Sequence, residues 1–320
     1  MAAQGGNATF ERNSRRVVAV VIAVVFVADA GVLYLHLRDR VSRVGLSAAV
    51  NRYRQQVAAR GEATAKPTET TQTVFASTTV APRAPTVSTA GNAGTGPATR
   101  QTSRPAADAP PKAATVVGPV PGVYSYATQG KEYTSALGGA THDYPATTTL
   151  TVAPTGCGFT ARWDALQQRW DEEGDCTSGG ATVMRLFTIH HEFYGVTDTR
   201  SYACPETSFR RPPPSWTAGA QWQFRCLYGS QTLDVASAVV GTEPVTVAGT
   251  RVDTVHVREH DTYGGSDGTG TATTDWWLDA RSGLVVRRVT DLSQEGNSPF
   301  GRVKYTENYR IDLLNVSPHQ

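Results

Sequence analysis

The chain has 320 residues, with 30 Lys and Arg against 28 Asp and Glu, a formal balance of +2. The balance is uneven: residues 1–117 carry 14 basic and 6 acidic side chains, and residues 118–320 carry 16 and 22. The acidic part holds all four cysteines and all six tryptophans and is long enough to bury a core. It lacks the clustered cations that phosphate backbones require, which excludes nucleic acid as a partner.

Residues 1–16, with Arg12, Arg15 and Arg16, precede an apolar run from 17 to 37. Its length matches the roughly 20 residues that cross a bilayer as a helix. One carboxylate, Asp29, interrupts it. The run's thirteen Val, Ile, Leu and Phe side chains favour insertion by about 4–8 kcal/mol, against about 2.5–3.5 kcal/mol for one Asp. Insertion wins, and the run reads as an uncleaved single-span anchor. Asp29 is then either a contact for a transmembrane partner or a charge eased by water or local thinning. The rival reading is a signal peptide cut after Ala30, since Ala28 and Ala30 fit the small-residue rule. Arg38, Arg40 and Arg43 balance the arginines before the span, so flanking charge does not set its orientation. An even number of cysteines in one domain suits an oxidising compartment. That places the short tail in the cytoplasm and the C-terminal domain outside the cell membrane.

Over residues 38–60, Leu46, Ala49, Val50, Tyr53 and Val57 recur at helical spacing, with Gly61 as the stop. Arg52, Arg54 and Arg60 lie off that stripe. The segment is either a basic amphipathic helix on anionic lipid, or a short helix continuing the anchor or forming a weak coiled coil. From 61 to 117 the chain is rich in Thr, Ala, Pro and Ser, too polar to repay its own ordering. It reads as a disordered linker of stalk-like composition, its ends about 40 Å apart as a flexible coil. Such a linker would hold the C-terminal domain away from the membrane.

Residues 118–320 change to period two. In GRVKYTENYRIDLL, Val303, Tyr305, Tyr309, Ile311 and Leu313 share one face, with Glu307 as its one charge. QWQFRCLY places Trp222, Phe224, Cys226 and Tyr228 together. Further strands fit VTVAG, RVDTVHVREHDTY, TTDWWLD and GLVVRRV, joined by Ala248-Gly249, the glycine-rich 264–270 stretch and Asp279–Gly283. The fold class is mainly β: an antiparallel curved sheet or half-barrel ectodomain behind a transmembrane helix and a disordered linker. Trp276 and Trp277 point to opposite faces of one strand, so a second layer, a partner or a ligand covers both.

Few residues suggest chemistry. Gly264-Gly265-Ser266-Asp267-Gly268 matches the nucleophile-elbow spacing, but it lies between two strands where that motif needs a helix. It reads as a hairpin tip. His190 and Glu192 share a strand face and are the candidate metal ligands, yet zinc needs a third and usually a fourth ligand. Arg210-Arg211 precede a polyproline run and form either a partner-binding tip or a rigid surface loop. Strand arithmetic pairs Cys157 with Cys176 in a register that opposes Trp163 to Trp170. It pairs Cys204 with Cys226 in a register that opposes Tyr202 to Tyr228. A rival reading makes Trp163, Leu166 and Trp170 one face of a short helix. Neither pair has the C-x-x-C spacing of a redox site, so both read as structural.

The stretch from VTVAGTRVDTVHV through TTDWWLDARSGLVVRRV resembles the curved sheet of the periplasmic lipoprotein-carrier superfamily. The layout with GCGFTARWD and HHEFYG is similar to single-span envelope proteins of actinobacteria. The first reading of function is a non-catalytic binding or structural module of the cell envelope, without cofactor. Its partner is an envelope protein, a glycan or a lipid, with Asp29, Arg210, Arg211, Trp276 and Trp277 as candidate contacts. The alternative is a carrier or sensor of a hydrophobic, lipid-like ligand. The third is a metal-dependent or serine hydrolase.

Overall fold

The computed structural model describes residues 31–33, 39, 41–65, 118–213, 217–298 and 301–320. Of the expected anchor, only 31–33 fall among these, and they are helical; Asp29 lies outside. No helix among the described residues is long and apolar enough to cross a membrane. The linker lies outside them from residue 66 onward. The chain divides into one unit of Met1–Ala59 with Ala113–Gln320 and a second of Arg60–Lys112. The second is described only at its first residues, the end of a helix α1 (Leu46–Ala65).

The first strands are β1 (Gly122–Thr134), β2 (Ala140–Asp143), β3 (Thr147–Pro154), β4 (Gly158–Asp164) and β5 (Arg169–Ser178). Next come β6 (Ala181–Phe193), β7 (Val196–Ala203), β8 (Phe209–Arg211) and β9 (Gln221–Tyr228). The last are β10 (Gln231–Val247), β11 (Thr250–Gly264), β12 (Gly268–Asp279), β13 (Val285–Ser298) and β14 (Gly301–Leu313). Neighbours follow chain order in an antiparallel meander, except that β8 lies off the path beside β6 and β2 sits at its end beside β1. β14 then pairs with β1 from Tyr126↔Leu313 to Thr134↔Tyr305. The sheet therefore closes into a barrel of twelve strands, which corrects the curved sheet or half-barrel read from the sequence. Closure removes both edges that an open sheet would expose.

Gly130 makes this closure compatible with a change of partner. On its other side β1 pairs with β3 up to Ala127 and with β2 from Lys131 onward. Gly130 sits between, at φ +147°, where a Cβ would lie 2.4 Å from the Asn308 carbonyl oxygen. Only glycine lets the two backbones approach so closely there.

Alternation decides what enters the barrel. Along β14, Glu307, Tyr309, Ile311 and Leu313 are buried, as period two requires. The lower lumen is aromatic and aliphatic, centred on Trp163, Tyr126, Tyr309 and Ile311. A second cluster holds Met184, Ile189, Tyr202, Phe224, Leu233 and Tyr263. Between them lies a layer of charge. Arg169 grips Glu307 through two hydrogen bonds of 3.0 and 2.9 Å, and Tyr144 donates to the same carboxylate. Arg210 binds Glu173 at 2.9 Å and Glu259 at 2.7 Å, and Arg288 reaches Asp171 at 3.3 Å. The Arg288 guanidinium lies 4.6 Å from the Trp163 ring, and that of Arg210 lies 4.4 Å from Trp276. Flat, weakly hydrated cations stacked on indoles are the form of charge a lumen tolerates best.

The outer wall differs. Arg225–Asp234, Arg258–Asp275 and Arg287–Asp312 pairs line it at 2.5 to 2.9 Å. A barrel facing hydrocarbon carries an apolar band there instead. Trp277 stands on this face, its ring 4.2 Å from His256 and its indole N–H donating to Glu243. Trp276 faces the lumen. Among the described residues no second sheet covers the strand; polar neighbours half-bury the outer ring.

The cystines are Cys157–Cys176 and Cys204–Cys226. The second clips the thinnest seam of the wall. β7 and β9 share one ladder pair, Ala203↔Leu227, in the register that sets Tyr202 beside Tyr228 at 5.9 Å. Tyr228 is nonetheless 39% exposed, because β9 ends there at the rim. At the first cystine the ladder runs one residue off the expected register: Gly158 opposes Cys176 and Asp164 opposes Trp170. Trp163 is therefore turned into the lumen and Trp170 out, stacked on His190 at 5.0 Å. Burial of the larger apolar surface of Trp163 outweighs an opposed pair of indoles.

Replacing Cys204 and Cys226 together by Ser should cost about 2–4 kcal/mol. The loss should speed amide exchange in β7 and β9 before the rest of the wall. Uniform acceleration around the ring would show that the seam is held by something else. Arg169→Met alone should destabilise by about 3–5 kcal/mol, because Glu307 is left buried without its cation. The double variant Arg169→Met, Glu307→Leu should recover most of that in denaturant titration.

Candidate functional site

The strand ends that carry Thr134, Phe193, Gln231, Gly264 and Ser298 gather at one end of the barrel, here called the mouth. They enclose a cavity of 390 Å³. Its aromatic lining is Phe193, Tyr194, Tyr202, Tyr263 and Tyr305. One polar chain crosses its wall. Arg200 Nη1 and the Tyr202 hydroxyl donate to Gln231 Oε1 at 3.0 and 3.2 Å, and Gln231 Nε2 donates to Asp267 Oδ2 at 2.5 Å. Below, the charged layer leaves a space of only 40 Å³, room for about three waters.

A buried set of ionisable groups braces the mouth. Glu132 is fully buried and takes His142 Nδ1 at 2.8 Å on one oxygen. Its other oxygen accepts from the Tyr305 hydroxyl at 2.9 Å and faces His191 Nδ1 at 3.4 Å. His142 Nε2 lies 3.0 Å from Asp39 Oδ2, and Asp39 Oδ1 accepts the Tyr194 backbone N–H at 2.9 Å. The His142 ring also stacks on Phe193 at 4.4 Å. Burial would push the His142 pKa down, but hydrogen bonds to Asp39 and Glu132 outweigh it and hold the group up at about 9. Burial would likewise raise Glu132, yet hydrogen bonds from His142 and His191 bring it to about 2. His142 is thus a cation clamped between two carboxylates.

Deeper in the lumen, carboxyls outnumber cations. Burial raises Asp175 and Asp261 well above the carboxylate range, the charge of Glu173 adding to the first and that of Glu259 to the second. Asp261 Oδ1 and Asp175 Oδ1 have no hydrogen-bond partner among the described residues.

The residues singled out in the sequence fall elsewhere. His190 points outward, against Trp170, with Nδ1 2.7 Å from Thr199. Glu192 shares that outer phase, and no group of three or more His, Cys, Asp or Glu with metal-site geometry occurs among the described residues. Arg210 and Arg211, expected at an accessible tip, are 7% and 2% exposed. β8 takes the place of β7 beside the lower part of β6 and carries Arg210 into the lumen, so the pair does not form an exposed tip. Arg211 binds the carbonyls of Ala280 and Gly180. Trp276 is buried, and Trp277 is part of the outer wall. Ser266 does sit at a hairpin tip, its hydroxyl held by Ser230 and Asp267 at 3.1 and 3.0 Å. What the sequence missed is one residue out of phase: Ile189, His191 and Phe193 face inward. Extending the apolar phase of Ile189 by two and four residues finds them.

No family model matches the chain, and no curated protein matches it. The likeness to actinobacterial single-span proteins therefore remains one of sequence pattern. Among solved structures, the chain is similar to the hypothetical lipoprotein YmcC from Escherichia coli K12. The match has 13% identity and a TM-score of 0.28, and covers 62% of this chain and 85% of that one. A candidate lipoprotein from Parabacteroides distasonis matches at 12% identity and TM-score 0.27, covering 64% of this chain and 99% of that one.

Because the folded pKa of His142 is raised above the ordinary value of 6.5 to about 9, its contribution is complete below pH 6.5. It is lost as the pH rises through 9. The melting temperature should fall between about pH 6.5 and 9, and His142→Gln should lower it at pH 6.5 and flatten that fall. An alkaline drop of the same size in the variant would place the proton elsewhere.

Proposed function

We propose that this chain is a non-catalytic binding module of the cell envelope whose site is the cavity at the barrel mouth. The observation that carries this reading is an open space of 390 Å³, walled by aromatic faces and by a fixed hydrogen-bonding chain, above a lumen closed by ion pairs. Such a site holds a ring-bearing polar ligand: apolar faces bury the ring, and Gln231 and its neighbours orient its polar groups. The two cystines support an oxidising, extracytoplasmic setting, and the apolar run 17–37 supports attachment to the cell membrane. Carriage of an acyl chain inside the barrel has little support, since 40 Å³ among guanidiniums and carboxyls admits no such chain. A hydrolytic role has no more, since Ser266 is held by Ser230 and Asp267, neither of which activates a hydroxyl as a histidine does.

The test is saturation-transfer NMR of the full chain with a panel of soluble saccharides and glycan fragments. At least one should bind. Val196, exposed at the cavity wall, offers a blocking variant: Val196→Trp should weaken that binding about tenfold or more with the melting temperature unchanged. Binding that ignores Val196→Trp, or a panel without a single ligand, would overturn the reading.

A further inference from the structure

The route of the chain around the barrel says which way the mouth faces. The first described residue that touches the barrel is Asp39, and it does so at the mouth, on His142 and the Tyr194 amide. Tyr194 and Ala136 beside it line the cavity. Ser42 follows, donating its backbone N–H to Gln168 Oε1 and accepting from Gln167, both at 2.9 Å. Helix α1 then descends the outer wall. Arg52 binds Asp164 at 3.0 Å, and Arg54 reaches the Gln320 carbonyl at 2.8 Å, near the opposite end. Thr149 and Thr151, turned outward by alternation, are buried on this side. The chain thus arrives at the mouth and leaves toward the far end.

The apolar run ends at residue 37. Two residues span at most about 7 Å, so an anchor there brings the mouth close to the bilayer surface. The far end stands off by the height of the wall, about 30 Å for strands of this length. The 61–117 linker cannot lift the barrel, because the chain is already bound to it before the linker starts.

We propose that the barrel stands with its mouth against the membrane and that the cavity takes the uncharged, hydroxyl-rich headgroup of a membrane glycolipid. The ligand class rests on the binding role proposed above, and the orientation rests on the membrane attachment proposed there. Charge selects the class. Arg200 is taken up by Asp198 at 2.7 Å and by Gln231, Glu295 by Arg302 at 2.9 Å, and Asp267 by Gln231. A phosphate would have to displace one of these pairs. A sugar ring would not: its C–H face packs on Phe193 or Tyr305, both half-buried at the cavity wall, and its hydroxyls meet amides and carboxylates that keep their existing partners.

The test uses the full chain in nanodiscs with a trace of gadolinium-chelating lipid. Spin labels are placed singly on Ser266→Cys at the mouth and Asn315→Cys at the other end, both exposed. Relaxation of the Ser266 label should be several-fold stronger than that of the Asn315 label; equal or reversed values overturn the orientation. Soluble digalactosylglycerol and nanodiscs containing digalactosyl diacylglycerol then separate the two proposals. Contact of the lipid headgroup with Val196-side residues, lost in Val196→Trp, is the expected result. Binding of the free sugar with the mouth turned away overturns this inference and leaves the binding role standing. A mouth that faces the membrane but takes neither sugar nor glycolipid overturns the ligand class.

Discussion

A guanidinium inside a closed barrel finds room for only a few waters, so it must be answered from the opposite wall. Three such cations, Arg169, Arg210 and Arg288, stitch this barrel across its lumen. Arg169 on β5 holds Glu307 on β14, and Arg288 on β13 holds Asp171 on β5. Arg210 on β8 holds Glu173 on β5 and Glu259 on β11. Each pair joins strands that are not neighbours in the wall, so the pairs fix the cross-section of the ring where ladder hydrogen bonds fix only adjacent strands. Hydrophobic packing of equal volume could be as stable. The ionic layer, however, also closes the floor of the cavity above it. The site at the mouth owes its shape to that floor.

The same logic governs the surplus of acid. With more carboxyls than cations in the lumen, full ionisation would set like charges together at low dielectric. Burial and the neighbouring carboxyls push Asp175 and Asp261 toward the protonated form instead, which relieves that repulsion. The mouth adopts the opposite solution, inserting a proton on His142 between Asp39 and Glu132.

Much of the wall was legible in the sequence because period two is a local signal. The inward phase of β14, the pairing of Cys204 with Cys226 and the hairpin tip at Ser266 could all be read from alternation and turn chemistry. Closure was not legible, since the β1–β14 ladder joins residues far apart in the chain and leaves no mark on either strand alone. The pairing of Cys157 with Cys176 was legible too, but its ladder register was read one position off because an opposed tryptophan pair looked like a gain. The fold instead buries Trp163 against Tyr309 at 4.5 Å. Arg210 and Arg211 misled for a different reason. A basic pair before three prolines reads as surface, and only the inward turn of β8 supplies the acids that make burial affordable. At the site, HHEFYG drew notice but in the wrong phase. The role of Asp39 could not be seen at all, since a carboxylate just beyond an apolar run has no local reason to reach a histidine a hundred residues away.

The docking of residues 39–59 onto the barrel changes what the long polar linker is. It leaves from one docked part of a unit and returns to another, so it is a loop, however long, rather than a tether. Proteolysis between 66 and 112 would cut the covalent chain without dividing the folded body. The clamp on His142, the Ser42–Gln168 contact and the Arg52–Asp164 pair would still join the two fragments. Separating the two fragments would then require a second event, the peeling of residues 39–59 from the wall. A nicked molecule would run as two bands in denaturing gels and as one particle in solution.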